Sequence, residues 1–400
     1  MITTPKSTRL QLVLAGRSNS GKSSLLNLIC GSNAAITSPI PGTTTDVVEK
    51  AMEFRPFGPV LFLDTAGFDD NTELGYKRIE KTRTALKRAD VLIIVSKAGV
   101  WGDIEESLLN EAQANKIPAM AFFTHTDIDA QLDDFSSCPY VSGCTLAGKS
   151  DRDETLNKMR AVLADLLKDK ISQEIPLLRD LVAPGETVIM LVPIDNQAPK
   201  GRLILPQVQA IRDVLDANAS VIVANENNFA SIFENLKTPP ALAICDSQVV
   251  HLMVKVVPPE ILCTTFSILF ARQKGDLDLL YNGASAIDLL EDGDKVLISE
   301  ACSHHASDDD IGRVKIPRLI EKKSGKQLVF EVISRDFPDN LNDYKLIIHC
   351  GSCMLNRQET LSRLEFARSC GIPVTNYGMA ISHCQGVLKR VMSPFLQQKK

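Results

Sequence analysis

Long apolar runs are missing from this sequence: no stretch approaches the roughly 18 to 20 residues that a membrane-spanning helix needs. A basic excess is missing too, since 44 Lys and Arg stand against 49 Asp and Glu, and a net charge of -5 gives no general attraction for nucleic acid. The six histidines are scattered, so no His-rich metal-binding tract is present. We therefore expect neither a membrane protein nor a nucleic-acid-binding one.

The ten cysteines would indicate disulfides in a small secreted protein, but this chain has 400 residues and no export signal. Its short apolar start leads directly into a glycine-rich loop, so we expect a strand there and not a signal peptide. Reduced thiols, metal binding and a cytoplasmic location are the resulting expectation.

Short β-branched apolar runs alternate with helical stretches along the whole chain, which is typical of βαβ units and parallel sheets. The predicted fold class is α/β, with an N-terminal nucleotide-binding domain on a mostly parallel sheet and two smaller α/β domains after it. The predicted limits are 1–170, 174–262 and 263–400, with Pro258-Pro259 marking the second boundary.

The most specific local motif is a phosphate-binding loop, GRSNSGKS, between a predicted strand and a predicted helix. Its glycines let backbone N–H groups approach phosphates, Lys22 reaches the outer phosphates, and the Ser23 hydroxyl suits Mg²⁺. The helix that follows adds its dipole. The nucleotide contacts predicted in this loop are Gly16, Asn19, Ser20, Gly21, Lys22, Ser23 and Ser24.

A second element, Asp64-Thr65-Ala66-Gly67, follows another predicted strand. Asp64 is expected to hold Mg²⁺ through water, and the backbone N–H of Gly67 is expected to contact the γ-phosphate. Between the two motifs lies a threonine-rich run in which Thr44 is predicted to complete the Mg²⁺ shell.

These pieces, in this order, resemble the GTPases of the TrmE–Era–EngA type, so the first domain is expected to be a P-loop GTPase domain that binds GTP and GDP. In that group an Asn in the phosphate loop helps to bind K⁺, and Asn19 matches it. Asp70 matches a residue that positions water in TrmE-like members. The resemblance thus implies K⁺-stimulated hydrolysis of GTP to GDP and phosphate, with Asn19, Lys22, Thr44 and Asp70 as catalytic residues.

The guanine-reading motif departs from the NKxD of that group, because the chain has Thr124-His125-Thr126-Asp127 in its place. Asp127 can still accept two hydrogen bonds from guanine, and Ser142 lies where the last base-contacting loop belongs. GTP is favoured over ATP, with a modest affinity for the base.

A set of soft ligands lies far downstream: Cys302, Cys350 and Cys353, with His304 and His349 nearby. Thiolates suit both zinc and iron–sulfur clusters. Three Cys plus one His would complete a tetrahedral zinc site, whereas three Cys can hold a 4Fe-4S cluster and leave one iron for a weaker ligand. Spacing alone leaves both possibilities open.

The compound motif C-x-H, then 44 residues, then H-C-x-x-C, behind a TrmE-like GTPase, resembles the HydF family of FeFe-hydrogenase maturation GTPases. The resemblance implies a 4Fe-4S protein that receives a transient 2Fe precursor from radical-SAM maturases and delivers it to apo FeFe-hydrogenase. It also implies three cluster cysteines, a histidine as fourth ligand or outer donor, and a homodimer formed by the middle domain.

Two other classes of function compete with this interpretation. An RNA- or ribosome-associated GTPase with a structural zinc module is disfavoured by the acidic charge balance and by the lack of Lys/Arg-rich segments interleaved with aromatics. A chaperone for another metal, such as nickel, would usually carry a His-rich tract.

Overall fold

The chain forms two compact units in a computed structural model, residues 1–174 and 175–400. The structure describes residues 5–31, 47–68, 73–126, 137–144, 149–172, 175–194, 203–300, 310–334, 337–338 and 340–396. None of the helices in these ranges is long and apolar enough to cross a membrane.

The first unit is built around one sheet. Its strands are β1 (Leu10–Ala15), β2 (Val48–Glu53), β3 (Pro59–Asp64), β4 (Val91–Lys97), β5 (Ala119–Thr124) and β6 (Tyr140–Ser142). Its helices are α1 (Lys22–Cys30), α2 (Glu73–Lys87), α3 (Asp103–Ala114) and α4 (Lys149–Ser172). The described strands lie in the order β2-β3-β1-β4-β5-β6, and β2 runs antiparallel to β3 while the other pairs are parallel. This confirms the predicted α/β class and the mostly parallel sheet.

Helices cover both faces of this sheet, and alternate residues of β1 pack against helices on opposite faces. Leu12 and Leu14 pack in a core with residues of α1 and α4, whereas Val13 and Ala15 pack in a second core with residues of α2 and α3. A strand buried on both faces has no polar face, which explains the continuous apolar runs. The carboxyl ends of β1, β3 and β5 meet at one edge of the sheet, where ligands of open α/β folds bind.

The second unit contains two further parallel sheets. One comprises β7 (Thr187–Leu191), β8 (Ser220–Ala224), β9 (Leu242–Cys245) and β10 (Leu262–Thr265), in the described order β10-β9-β7-β8. The other comprises β11 (Lys295–Glu300), β12 (Val329–Ser334), β13 (Leu346–His349) and β14 (Val374–Asn376), in the described order β12-β11-β13-β14.

The helices of the second unit lie between and after these strands. They are α5 (Leu205–Asp216), α6 (Phe229–Glu234), α7 (Val250–Val256), α8 (Phe266–Lys274), α9 (Leu277–Ala284), α10 (Ile316–Ser324), α11 (Arg357–Ser369), α12 (Tyr377–Cys384), α13 (Leu388–Val391) and α14 (Ser393–Leu396). Further α/β structure thus follows the first unit, as predicted.

The two sheets of this unit share one apolar core. It includes Val188 and Ile244 of the first sheet and Ile298 and Ile347 of the second. Strand β10 pairs in parallel with β9, so the first sheet continues past residue 262, where the sequence placed a boundary. The limits of the individual domains stay a prediction.

Candidate functional site

The phosphate loop connects the end of β1 to the start of α1, as predicted. Gly16 has a φ of 149°, and a Cβ atom there would lie 2.2 Å from the carbonyl oxygen of Val95. Gly21 has a φ of 95° and forms the N-cap of α1. Both positions need glycine because a side chain would meet a steric or a conformational barrier. The loop can therefore run close to its neighbours and present backbone N–H groups at a helix N-terminus, the arrangement that binds phosphates.

Lys22 crosses this loop with a buried side chain. Its Nζ lies 3.1 Å from the carbonyl oxygen of Gly16 and 2.6 Å from that of Arg17, so the ammonium donates to the loop itself. Arg17 is in turn paired with Glu105 of α3, with Nε 3.0 Å from Oε1, and the Glu105 side chain is fully buried. The loop is thus braced from inside by a lysine and from outside by an ion pair.

Ser23 and Asp64, both predicted to hold Mg²⁺, lie within hydrogen-bond distance of each other. The Ser23 Oγ donates to Asp64 Oδ2 at 2.7 Å, while the buried Asp64 Oδ1 has no hydrogen-bond partner among the described residues. Burial raises the pKa of Asp64, and the Ser23 hydrogen bond and the charge of Lys22 oppose that shift. A carboxylate oxygen without a partner beside a hydroxyl is a hard oxygen donor set, so these residues fit Mg²⁺.

The segment with Gly67 lies directly against the phosphate loop. A Cβ on Gly67 would come within 2.2 Å of the Ser18 Oγ, and the backbone N–H of Phe68 donates to the Gly16 carbonyl at 3.3 Å. This contact places the two motifs side by side, as a shared phosphate site requires.

Thr124 has a role that sequence reasoning missed. It ends β5 with a fully buried side chain, and its Oγ1 donates to the carbonyl oxygen of Ser20 at 2.7 Å. A Cβ on Gly21 would lie 3.0 Å from its Cγ2, so the threonine also packs on the loop. In the sequence analysis Thr124 was considered only as a departure from NKxD. Its position directly after an apolar run was the one sequence signal for a place at a strand end.

The remaining nucleotide-site predictions divide into two groups. Asn19 is exposed with a left-handed φ of 57°, Ser24 lies in the first turn of α1, and Ser142 ends β6 opposite Phe123 of β5. The other three, Thr44, Asp70 and Asp127, lie outside the described residues.

The second candidate site is the cysteine loop, which we define as residues 350–355 after β13. The backbone N–H of Cys350 donates to the Ser299 carbonyl at 2.9 Å, and Ser352 takes a left-handed φ of 54° that turns the chain. Neither Cys350 nor Cys353 forms a disulfide within the described part of the chain. Burial raises the pKa of Cys353, whereas the charge of Lys274 and the backbone N–H groups of Cys353 and Met354 favour the thiolate.

His349 is buried at the end of β13, just before this loop. Its Nδ1 lies 2.8 Å from the carbonyl oxygen of Cys350, a contact that requires a proton on Nδ1. Burial and the charge of Arg363 lower the pKa of His349 to about 4, so the ring is neutral at neutral pH. Its Nε2 is buried without a partner among the described residues, and a neutral imidazole with a free Nε2 is the form that binds metals.

Lys274 also belongs to this site, although no sequence signal pointed to it. Its buried Nζ lies 2.8 Å from the carbonyl oxygen of Leu355 and 3.2 Å from those of Ser352 and Cys353. Burial lowers the pKa of Lys274 to about 8, against the effect of the nearby Cys353 and Cys350.

The other predicted ligands, Cys302 and His304, fall outside the described residues. Within those residues no group of three or more His, Cys, Asp or Glu side chains is arranged to hold a metal ion. His349, Cys350 and Cys353 thus follow one another at the end of β13 and in the loop after it, but their described side chains do not form a metal-binding group.

Known protein families match all three parts of the chain. Residues 278–394 match the family model described as the hydrogen maturase F tetramerization domain, and residues 177–275 match the hydrogen maturase F dimerization domain. Residues 11–125 match the 50S ribosome-binding GTPase family. The two maturase matches together cover more than half of the chain, and the first unit carries a GTPase domain.

Individual relatives match more locally. The tRNA modification GTPase MnmE of Zymomonas mobilis is 43% identical over 90 residues, 22% of this chain and 20% of that protein. MnmE of Staphylococcus epidermidis is 28% identical over 215 residues, 53% of this chain and 43% of that protein. GTPase Der of Persephonella marina is 42% identical over 97 residues, 23% of this chain and 22% of that protein. The chain spans less than half the length of these curated relatives.

Two solved structures illustrate the likeness in three dimensions. Era, in complex with MgGDPNP and a 16S ribosomal RNA fragment, is 19% identical with a TM-score of 0.34, covering 56% of this chain and 93% of that chain. The G domain of the T. maritima FeoB iron transporter is 19% identical with a TM-score of 0.31, covering 40% of this chain and 98% of that chain.

Proposed function

The chain belongs to the HydF family of hydrogen maturases, and on this premise we propose that it is a K⁺-stimulated GTPase that holds a 4Fe-4S cluster and delivers a diiron precursor to apo FeFe-hydrogenase. In this proposal GTP and Mg²⁺ bind at the phosphate loop. The diiron unit is cargo, supplied by radical-SAM maturases in the cytoplasm.

The observation that carries the proposal is the position of the cysteine loop at the carboxyl edge of a parallel sheet. Cys350 is hydrogen bonded to Ser299 of the neighbouring strand β11, and Cys302 follows three residues later in the chain. With Cys350 and Cys353, Cys302 makes up the three-cysteine ligand set that the motif predicts.

Two described acidic residues, Glu300 and Asp310, flank residues 301–309, which include Cys302. Glu300 is buried and forms a paired contact with Arg313, with Nε 3.0 Å from Oε1 and Nη2 2.9 Å from Oε2. On the other side, the Asp310 carboxylate accepts from the backbone N–H of Arg313 at 2.8 Å. Arg313 thus contacts both of these flanking residues.

The chain's own contribution is to fix the cysteine loop and to oppose, at Cys353, the effect of burial, which raises the pKa of that thiol. Backbone N–H groups directed at the sulfur of Cys353 favour its thiolate, and a thiolate is the form that binds iron. A cluster held by three cysteines would supply one iron with an exchangeable position for the cargo. His349, whose Nε2 is free among the described residues, and His304 are the proposed fourth ligand or outer donors.

Anaerobic reconstitution of the full chain with iron and sulfide tests the proposal. We expect a brown protein with broad visible absorption and about four irons per chain, since a 4Fe-4S cluster contains that number. A colourless protein that holds stoichiometric zinc and never takes up iron would contradict it. That outcome would favour the RNA-associated GTPase with a zinc module, which the family matches do not support.

GTP hydrolysis is expected to be faster in K⁺ than in Na⁺, and Asn19→Gly should remove the difference. Asn19 lies exposed in the phosphate loop, where its side chain can reach a cation beside the nucleotide. Glycine keeps the left-handed φ of 57° without strain, so this variant deletes the side chain and leaves the loop conformation accessible. Initial rates in matched K⁺ and Na⁺ buffers measure the effect. Equal rates for the unchanged protein would contradict K⁺ stimulation.

We also propose a homodimer formed through the middle part of the chain, because apolar side chains are exposed there. Val208 and Leu215, one heptad apart on α5, are 45% and 51% exposed, and Val223 lies exposed on β8, the edge strand of the described sheet. Isolated exposed side chains are ordinary, but a set on one edge strand and the adjoining helix suits a second copy.

Leu215→Glu combined with Val223→Glu is expected to convert this dimer to monomer, because each substitution buries a carboxylate in an apolar interface. Sedimentation velocity at several protein concentrations measures the change. Val100→Glu, at an exposed site in the GTPase domain, is the matched control and should leave the mass unchanged. If the double variant keeps the wild-type mass, the interface lies elsewhere.

A further inference from the structure

The buried ammonium group of Lys274 contacts the cysteine loop and forms no ion pair with a carboxylate in the described part of the chain. Lys274 is the last residue of α8, and its side chain is 4% exposed. It belongs to the part of the chain that matches the dimerization domain, whereas the loop belongs to the part that matches the tetramerization domain. The side chain thus joins the two parts of one compact unit.

All three donors of this ammonium are used on the loop backbone. The carbonyl oxygens of Ser352, Cys353 and Leu355 surround Nζ at 3.2, 3.2 and 2.8 Å. The ring of Phe270, one turn earlier on α8, lies 5.1 Å from Nζ and adds a cation–π contact. Three carbonyls held by one nitrogen fix the path of the chain around Cys353.

The charge of Lys274 has no carboxylate counterpart within ion-pair distance in the described part of the chain. The acidic groups that act on it there are the thiols of Cys353 and Cys350. Burying an unpaired charge is costly, so a site that keeps one is expected to receive negative charge. Thiolates bound to a metal would supply that charge.

A second cation, Arg357, also connects the cysteine loop to the end of α8. Arg357, the first residue of α11, donates from Nη1 to the carbonyl oxygen of Gln273 at 2.6 Å, and it lies only four residues after Cys353. Two cations therefore connect the end of α8 to the cysteine loop. Lys274 of α8 donates to the loop carbonyls, and Arg357, just after the loop, donates to the carbonyl of Gln273 in α8. Movement of the loop would have to break both sets of contacts.

We propose that Lys274 is the positioning residue of the cysteine loop: it holds the loop carbonyls in place and sets a fixed positive charge beside the thiolates. This inference rests on the proposed cluster-binding function. It has two separable consequences. Loss of the backbone contacts should make the cluster easier to remove, and loss of the charge should disfavour the reduced cluster, which is more negative than the oxidised one.

The experiment compares full-length wild type with Lys274→Met, Lys274→Gln and Lys274→Arg, all reconstituted anaerobically. Lys345→Met, at an exposed site four residues before His349, is the matched control. Two quantities are measured: the rate of iron release to a chelator, and the midpoint of a redox titration followed by electron paramagnetic resonance. Circular dichroism and thermal unfolding of each protein check that it is folded.

In both neutral variants we expect iron release about tenfold faster, the lower end of the range for lost outer-shell contacts. We also expect the reduced-to-oxidised ratio at a given potential to fall about tenfold, which is about 59 mV for a one-electron couple. Lys274→Arg should restore the midpoint because it keeps the charge, but not the full retention, because a planar guanidinium cannot place one nitrogen among three carbonyls.

A lysine with only a structural role would change retention without moving the midpoint. Unchanged midpoints in Lys274→Met and Lys274→Gln would therefore overturn the inference, as would a midpoint in Lys274→Arg that shifts as far as theirs. If Lys274→Met does not fold, the comparison of Gln with Arg still decides the matter. A wild-type protein that takes up no iron would instead contradict the proposed function itself.

Discussion

Lys22→Ala is expected to lower the rate of GTP hydrolysis by at least about 10²- to 10³-fold, the loss found when one preorganised donor to a developing negative charge is removed. In the structure the Lys22 ammonium donates to the carbonyl oxygens of Gly16 and Arg17, so it already lies within the loop that wraps the phosphates. Nucleotide phosphates would replace those carbonyls as acceptors. Alanine leaves the phosphates without this charge.

Cluster loading should be unchanged in the same variant. Residues 175–400 form a compact unit with a core of their own, and Lys22 contributes nothing to that core. Phosphate release and iron content, measured on the same preparations, test whether GTP hydrolysis and cluster loading are independent. Lys158→Ala, which removes an exposed lysine of α4 paired with Glu154, is the control and should alter neither quantity. A fall of iron content in parallel with GTPase activity would show that the two sites depend on each other.

The sequence was most informative where a motif and its surrounding elements specify one conformation. The phosphate loop needs Gly16 for its close approach to Val95 and Gly21 for its left-handed turn, and both requirements leave a visible trace in the residue types. The sequence of strand β2 has no comparable signal. It reads VEKAME, without an apolar run, and it is a strand because its backbone pairs with β3 along the antiparallel edge.

In the second unit, the sequence did not indicate which strands pair with each other when they lie far apart in the chain. The sequence prediction placed a domain boundary at Pro258-Pro259, and α7 ends just before it, at Val256. The strand that follows nevertheless returns to β9, and nothing local in its four residues specifies that partner. Lys274 was hidden for a related reason: a lysine in the last turn of a helix before a glycine is what any helix C-terminus favours, so its buried contacts with a loop far along the chain could not be read from its neighbours.

Cys302→Ser, Cys350→Ser and Cys353→Ser are each expected to lower iron affinity by more than about 100-fold, since the loss of an outer-shell partner alone costs up to about that factor. A hydroxyl is a hard and weakly acidic donor, whereas iron in a cluster requires a thiolate. Iron and sulfide analysis after gel filtration measures the loss. Cys370→Ser, at a half-buried free thiol at the end of α11, is the matched control and should keep the wild-type iron content.

The histidine variants should behave differently from the cysteine variants, and this difference separates a three-thiolate cluster from other sites. His349→Gln and His304→Ala are expected to keep most of the iron, with at most about a tenfold loss of affinity, because a labile fourth ligand or an outer donor contributes less than a thiolate. Glutamine can still donate to the Cys350 carbonyl that now accepts from Nδ1, so the loop keeps its support while Nε2 is removed. A changed electron paramagnetic resonance spectrum of the reduced His349→Gln protein would show that His349 acts on the cluster, as fourth ligand or as outer donor. Iron loss as complete as in the cysteine variants would mean that the histidine is a fixed ligand, which leaves no exchangeable position for the cargo.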